Sequence, residues 1–449
     1  MMIKQLLFRM MAVALLVSAV ACSNTEPLLS DGQKTLLKSD SLTYLERVSL
    51  LDDYKMPEQA VLESVKKFGV WSAAVTSKAA QDSLDLKITS KENLSLADFS
   101  RGSQDAVGTN DTVPVYYVAM KNGKHNGYAV VSGDLRTSRI LAFVPDTVAK
   151  SEMTYEQYWL TTLFKKAGEN ACLKQVRAFN ECKESLRKFA QKKMLSQSRS
   201  TAMEAWELKE MEWEGWKLEW SNKKFPELSV TWDQDYPYNC KLPQMGCTDS
   251  SYDYRCPAGC GVVAIAHALA YYEPRMSING QQVDWKMLKK QPYISYSEST
   301  QLKNQIGFLM KWIGEKAHAQ YSCDATTTFD VIGDVLSLVG MRCDGRVPFD
   351  WNAIFNSINN GHIVEISAHG IDKKKQEDVG HSWIIDSYVI AKLDEDSQNI
   401  HEQANYVHCN LGWGGFKDGY YLLEDDGVKF ETPNLNLETN IFIHTNIRK

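Results

Sequence analysis

The sequence predicts an α+β protein in which helices come first and an antiparallel sheet closes the chain. Three observations carry this. The run CGVVAIAHALAYY from Cys260 is small or apolar on nearly every face, the pattern of a fully buried helix. Further helical patterning follows through 300–340. The end of the chain then turns strand-rich, with GHIVEISAHG, GHSWIIDSYVIAKL, ANYVHCNLGWGGFKDGYYLLE and TNIFIHTNI.

The elements before that helix follow in order. MMIKQLLFRMMAVALLVSAVAC carries Lys4 and Arg9, an apolar stretch too short to span a membrane, and small residues before Cys22. It reads as an export signal over residues 1–22. Lipidation of Cys22 is the expected processing, which would place the protein at the cell surface on an outer-membrane lipid anchor until it is cut free and secreted. Residues 23–110 are polar, with short helical patterns such as PEQAVLESVKKFGVWSAAV. VPVYYVAMKNGKHNGYAVVSGDLRTSRILAFVPDT reads as three strands joined by turns, a small antiparallel sheet. A charged helix is expected from about Met153 to Lys193. Composition then changes across 195–225, where no core pattern crosses, which divides the chain into 23–200 and 201–449.

A chain of 449 residues accommodates two such domains. Its net charge of −6 and the lack of any basic stripe argue against nucleic acid as a partner. Export makes disulfides admissible for the ten cysteines. Cys172 with Cys182, and Cys323 with Cys343, are local candidates, although sequence alone does not fix connectivity. Cys240, Cys247 and Cys256 lack zinc-ligand spacing and a nearby histidine pair, so they read as disulfide candidates, and the cysteine-peptidase chemistry built below needs no metal and no organic cofactor.

Cys260 follows Pro257 and Gly259 and opens the buried helix, where unpaired amides and the positive end of the dipole favour a thiolate. A nucleophilic thiol needs an imidazole, and the imidazole needs an orienting partner. His267 lies on the same helix, but about 10 Å further along its axis, and reads as a core histidine. His369 ends a strand and is a second choice; His408 reads as a packed neighbour. His381 follows Gly380 and opens an apolar strand, which would hold its ring firmly. Asn410 on the next strand would orient it, Gly412, Gly414 and Gly415 would permit a tight turn, and Trp413 would shield the pair from water. Upstream, Gln234 in VTWDQDYPYNC could join the Cys260 amide in binding an oxyanion. A nucleophile on a helix facing a base on a sheet suits a cysteine peptidase.

The pieces WDQDYPYNC, PAGCGVVAIAHALAYY, VDWKML, GHSWIIDSYV and NLGWGGFKDGYY occur in one order that resembles the streptopain-like cysteine peptidases, over residues 229–425. YYVAMKNGKHNGYAVVSGDLRTSRILAFV is similar to that family's propeptide. The resemblance implies a papain-like fold, with a helical N-terminal lobe and an antiparallel-sheet C-terminal lobe, behind an α+β propeptide. It implies a secreted zymogen whose own propeptide is an intramolecular inhibitor and whose substrates are proteins or peptides. Cys260 would be the nucleophile, His381 the base, Gln234 an oxyanion donor and Asn410 the orienter, with Gly259, Gly380 and Trp413 shaping the site. Leu411 stands where the family has tryptophan and is expected to leave the pair wetter. Ser387 replaces a common glycine, and the loop YSCDATTT (321–328) stands where the family is glycine-rich. The alternative is a catalytically weakened, lipid-anchored binding or inhibitory protein on a peptidase fold.

Overall fold

The computed structural model describes residues 42–71, 84–96, 111–123, 125–147, 153–196, 217–220, 227–248, 253–328, 331–372, 377–392, 403–423 and 440–449. The export signal, Cys22 and the boundary at 200 lie outside these residues. Among the described residues, no helix is long and apolar enough to cross a membrane.

The first half begins with helices α1 (Tyr44–Ser49) and α2 (Glu58–Trp71). Four strands follow as an antiparallel meander: β1 (Asp85–Ser95), β2 (Thr112–Asn122), β3 (His125–Ser132) and β4 (Ile140–Val144). Helix α3 (Tyr155–Ser196) then runs for 42 residues. Its start is fixed by a reciprocal cap: the Gln157 amide donates to Thr154 Oγ1 at 3.2 Å, and the Thr154 amide donates to Gln157 Oε1 at 3.1 Å.

The second half supplies β5 (Lys217–Trp220) and the helices α4 (Cys260–Tyr272), α5 (Trp285–Leu288), α6 (Thr300–Lys316), α7 (Ile332–Ser337) and α8 (Trp351–Asn359). A short hairpin, β6 (Ser277–Ile278) with β7 (Gln281–Gln282), separates α4 from α5. Strands β8 (Val347–Pro348), β9 (Val364–Asp372), β10 (Glu377–Lys392), β11 (Gln403–Asn410), β12 (Gly419–Leu422) and β13 (Asn440–His444) complete the chain. Helix α4 is where the sequence places it. Val262, Val263, Ile265 and Leu269 are all buried, and burying four such side chains is worth on the order of 6–12 kcal/mol before entropy. The helix therefore gives Cys260 a stiff platform.

The sheet does not stop at the expected boundary. Tyr420 and Tyr421 of β12 pair with Phe143 and Ala142 of β4. One eleven-stranded sheet thus runs β1-β2-β3-β4-β12-β11-β10-β9-β13-β8, with β5 also paired to β10. Among the described residues, two of the three cores likewise draw on both halves of the chain. The first joins α1, α2 and the meander to Val389, Tyr406, Tyr420 and Leu422. The third joins Trp159, Leu160, Leu163 and Phe164 of α3 to α8 and to strands β9–β12. The remaining core surrounds α4. The reason is that β4 and β12 each have a free pairing edge, and burying both edges in one sheet also buries the apolar faces on either side.

Cysteine pairing departs from local spacing as well. Cys247 bonds to Cys323 across 76 residues, and Cys172 is a buried thiol donating to Ser132 Oγ at 3.4 Å. Cys323–Cys343 does not form because the fold brings Cys323 to Cys247, and Cys172–Cys182 does not form because both lie on helix α3, about 15 Å apart along its axis.

Candidate active site

Cys260 is the first residue of α4. Gly259 before it has φ 94° and ψ 139°, a backbone state that suits glycine. A Cβ there would lie 2.8 Å from the Thr326 carbonyl oxygen, so the glycine also allows the 321–328 loop to close on the turn. Thr326 Oγ1 donates to the Pro257 carbonyl at 2.7 Å, and the Thr328 side chain packs where a Cβ on Gly261 would stand. The departure from a glycine-rich loop is thus compensated by glycines on the opposite wall.

His381 lies in β10 opposite Ala368 of β9, and a side chain at Gly380 would meet His369 Nδ1 at 2.8 Å. Strand β11 pairs with β10 only from Ile384 onward, so at His381 the strand has one strand neighbour and its other side faces the turn after Asn410. Across that side, His381 Nε2 lies 2.7 Å from the Leu411 carbonyl oxygen. A carbonyl only accepts, so Nε2 carries the proton and Nδ1 faces the site. The ring is flanked by Trp413, at a centroid distance of 4.4 Å, and by Trp383, at 5.8 Å.

Two expectations are corrected here. Asn410 does not orient His381: its Nδ2 donates to the Val230 carbonyl at 2.7 Å, and its Oδ1 accepts from the Gly412 amide at 3.4 Å. Strand alternation turns the Asn410 side chain toward the α4 side, and the next peptide carbonyl takes the role instead. Nor does Leu411 leave the pair wet, since His381 and Leu411 are each 1% exposed. The Leu411 amide donates to Asp418 Oδ1 at 2.8 Å, so a buried carboxylate holds the peptide that holds the ring. Burial pushes Asp418 up to about 7. Asp418 stands within the motif NLGWGGFKDGYY, where nothing in the local pattern marks it as functional.

Sequence reasoning also missed Glu156, on the first turn of α3. Its carboxylate contacts His381 Nδ1 directly, and its oxygen, Cys260 Sγ and His381 Nδ1 all lie within 4.8 Å of one another. Phe164, two turns on, stacks on Tyr421 at 4.1 Å and meets Trp383 edge-on at 5.7 Å, which docks α3 over the sheet. With Glu156 in place the thiol is held well above its ordinary value, first by burial and then by the carboxylate charge; the amides of Ser382 and Gly261 pull the other way. In this state Cys260 is a neutral thiol.

The other histidines fall as neighbours. His267 is buried, Nε2 accepts from the Trp232 amide at 3.0 Å, and burial lowers it to about 3, so it is a neutral core residue. His408 pairs with Asp386 at 2.7 Å. Gln234 is buried, and its carbonyl accepts from Ala258 at 2.9 Å, tying it to the turn before Cys260. A cleft of about 310 Å³ opens beside Gly261 and Ser382, next to both candidate catalytic residues, and reaches Arg346, Glu365 and His369.

A thiol at the head of a buried helix, facing an imidazole on an antiparallel sheet, is the layout of a papain-like cysteine peptidase. Residues 232–421 match the model of the Peptidase C10 family, a family of cysteine peptidases. Among solved structures, that of active wild-type interpain A cysteine protease from Prevotella intermedia is similar over 49% of this chain and 95% of that one, at 18% identity and a TM-score of 0.34. No curated protein sequence matches the chain.

Proposed function

We propose that the protein is an exported cysteine endopeptidase made as a zymogen, with residues 23–200 as its inhibitory propeptide and Cys260 and His381 as its catalytic pair. The observation that carries this is Glu156. It belongs to the first half of the chain, yet its carboxylate rests against the imidazole and lies within 4.8 Å of the thiol. In that position it holds the imidazole face that a catalytic thiol would use.

With Glu156 withdrawn, His381 Nδ1 takes the Cys260 proton, and the thiolate attacks the scissile carbonyl carbon. The Cys260 amide, unpaired at a helix start, and the Gln234 side chain donate to the oxyanion. The imidazolium then protonates the leaving amine. Water activated by His381 hydrolyses the thioester and restores the thiol. The Leu411 carbonyl and its support Asp418 keep Nδ1 facing the thiol throughout. The cleft beside Gly261 would take a substrate side chain. Substrates are proteins or peptides outside the cell, and lipidated Cys22 would tether the uncut chain to the outer membrane.

The test is expression of residues 23–449 as wild type and as Cys260→Ala, followed by denaturing gel and casein hydrolysis under reducing conditions. The wild type should lose the first half and gain activity, and the variant should do neither. A correctly folded, trimmed wild-type domain that cleaves nothing and resists alkylation would overturn the reading in favour of a binding protein.

A further inference from the structure

We propose that Glu156, Cys260 and His381 form a binding site for a zinc-class divalent cation in the uncut chain, and that the metal locks the inactive state. This rests on the zymogen reading above. The three ligating atoms lie within 4.8 Å of one another and come from three separate elements, α3, α4 and β10. Zinc bonds of about 2.0 Å to nitrogen or oxygen and about 2.3 Å to sulfur put tetrahedral ligands about 3.3–3.8 Å apart.

The donor set and its surroundings both fit. Thiolate, imidazole and carboxylate together suit zinc or cobalt and not magnesium or calcium. The Leu411 carbonyl on Nε2 fixes the tautomer whose Nδ1 lone pair faces the other two ligands, the outer support that metal-binding histidines usually have. Trp413 and Trp383 keep the imidazole dry. On binding, the ion displaces the thiol proton, which passes to solvent. Three protein ligands leave a fourth tetrahedral position for water. Removing the first half of the chain removes Glu156 and leaves two ligands. Metal must therefore bind the uncut chain more tightly than the trimmed one, and by linkage it opposes the loss of the segment that bears Glu156.

The experiment titrates ZnCl2 calorimetrically into uncut 23–449, as wild type, Glu156→Gln and Cys260→Ala, and repeats it with CoCl2 to read thiolate-to-cobalt absorption. Processing rates are measured in parallel with and without metal. The expected result is one ion per chain, cobalt–thiolate absorption absent from Cys260→Ala, and affinity at least about tenfold weaker in Glu156→Gln, the least that disturbing such a site costs. Circular dichroism checks that Glu156→Gln is folded, and Cys260→Ala supplies an independent loss of ligand. Equal zinc affinity in wild type and Glu156→Gln, or no binding at all, overturns the site. If Glu156→Gln is processed faster without metal yet binds zinc as the wild type does, the metal site falls and the zymogen reading stands. If its zinc affinity drops while its metal-free processing is unchanged, the site stands and the role of Glu156 in latency falls.

Discussion

Replacing Gly259 with alanine should cost both stability and catalysis, and the structure separates the two contributions. At φ 94° and ψ 139° a Cβ introduces backbone strain of about 1–3 kcal/mol. The added methyl would stand 2.8 Å from the Thr326 carbonyl oxygen and 2.9 Å from Thr326 Cβ. One of those is backbone, and Thr326 is anchored to the Pro257 carbonyl, so the loop cannot yield freely. Overpacking of this kind adds about 1–3 kcal/mol, for a total of about 2–6 kcal/mol. The residue that must move is the neighbour of the Cys260 thiol, and a displacement near 1 Å costs about 10²-fold in rate. Gly280 is the control: its φ is +77°, but nothing lies within 4 Å of a Cβ there. Gly280→Ala should show only the strain and keep full activity. Urea unfolding followed by tryptophan fluorescence gives the stabilities, and peptide hydrolysis by the trimmed enzyme gives the rates. Equal stability losses in the two variants, or wild-type turnover in Gly259→Ala, would refute the argument that this turn is shaped by its clearance from Thr326.

Other expectations follow from the same contacts. Asp418→Ala removes the acceptor of the Leu411 amide, a charged hydrogen bond of about 1.5–3 kcal/mol, and should lower turnover about 10–100-fold with KM little changed, while Asp418→Asn retains most of the rate. Burial alone would lower His408, but Asp386 at 2.7 Å, aided by Glu227, raises it to about 10. Its folded value thus lies above the unfolded one of about 6.5, so this stability is fully present below about pH 6.5 and is lost as pH rises through about 10. Urea midpoints measured across that window should fall in the wild type and fall less in His408→Gln. Breaking the Cys247–Cys323 bond, which closes a loop across 76 residues, should cost about 4 kcal/mol, seen as a lower urea midpoint for Cys323→Ser without reductant.

What the sequence reveals here is what local pattern can encode. Helix α4, strands β2–β4 and the long α3 stand where the residues predict them, because each carries its own periodicity and turn signals. Strand β1 was hidden: DLKITSKENLS is polar and largely exposed, and it is a strand because β2 pairs with it along its length. Cys260 and His381 stand out in the sequence through glycine placement and helix polarity, and the structure brings the two side chains together. Glu156 does not stand out, since a glutamate in a first turn reads as an ordinary dipole partner and its contact lies 225 residues away. The group that orients His381 escaped notice for another reason. It is a main-chain carbonyl, and a sequence names side chains, so the adjacent Asn410 attracted the role. The disulfide reversed the usual economy of short loops because the 321–328 segment folds back on residues far upstream.

The shared sheet separates cutting the chain from releasing its parts. A single nick between residues 196 and 217 breaks no β4–β12 pairing and opens neither of the two mixed cores. The two fragments should therefore remain one particle on a native column while running apart on a denaturing gel, with Glu156 still seated. Activity would then lag behind cleavage, and it would be regained only as the first fragment is degraded or diluted away. A freed first fragment, added back at high concentration, would act as a competitive inhibitor in trans.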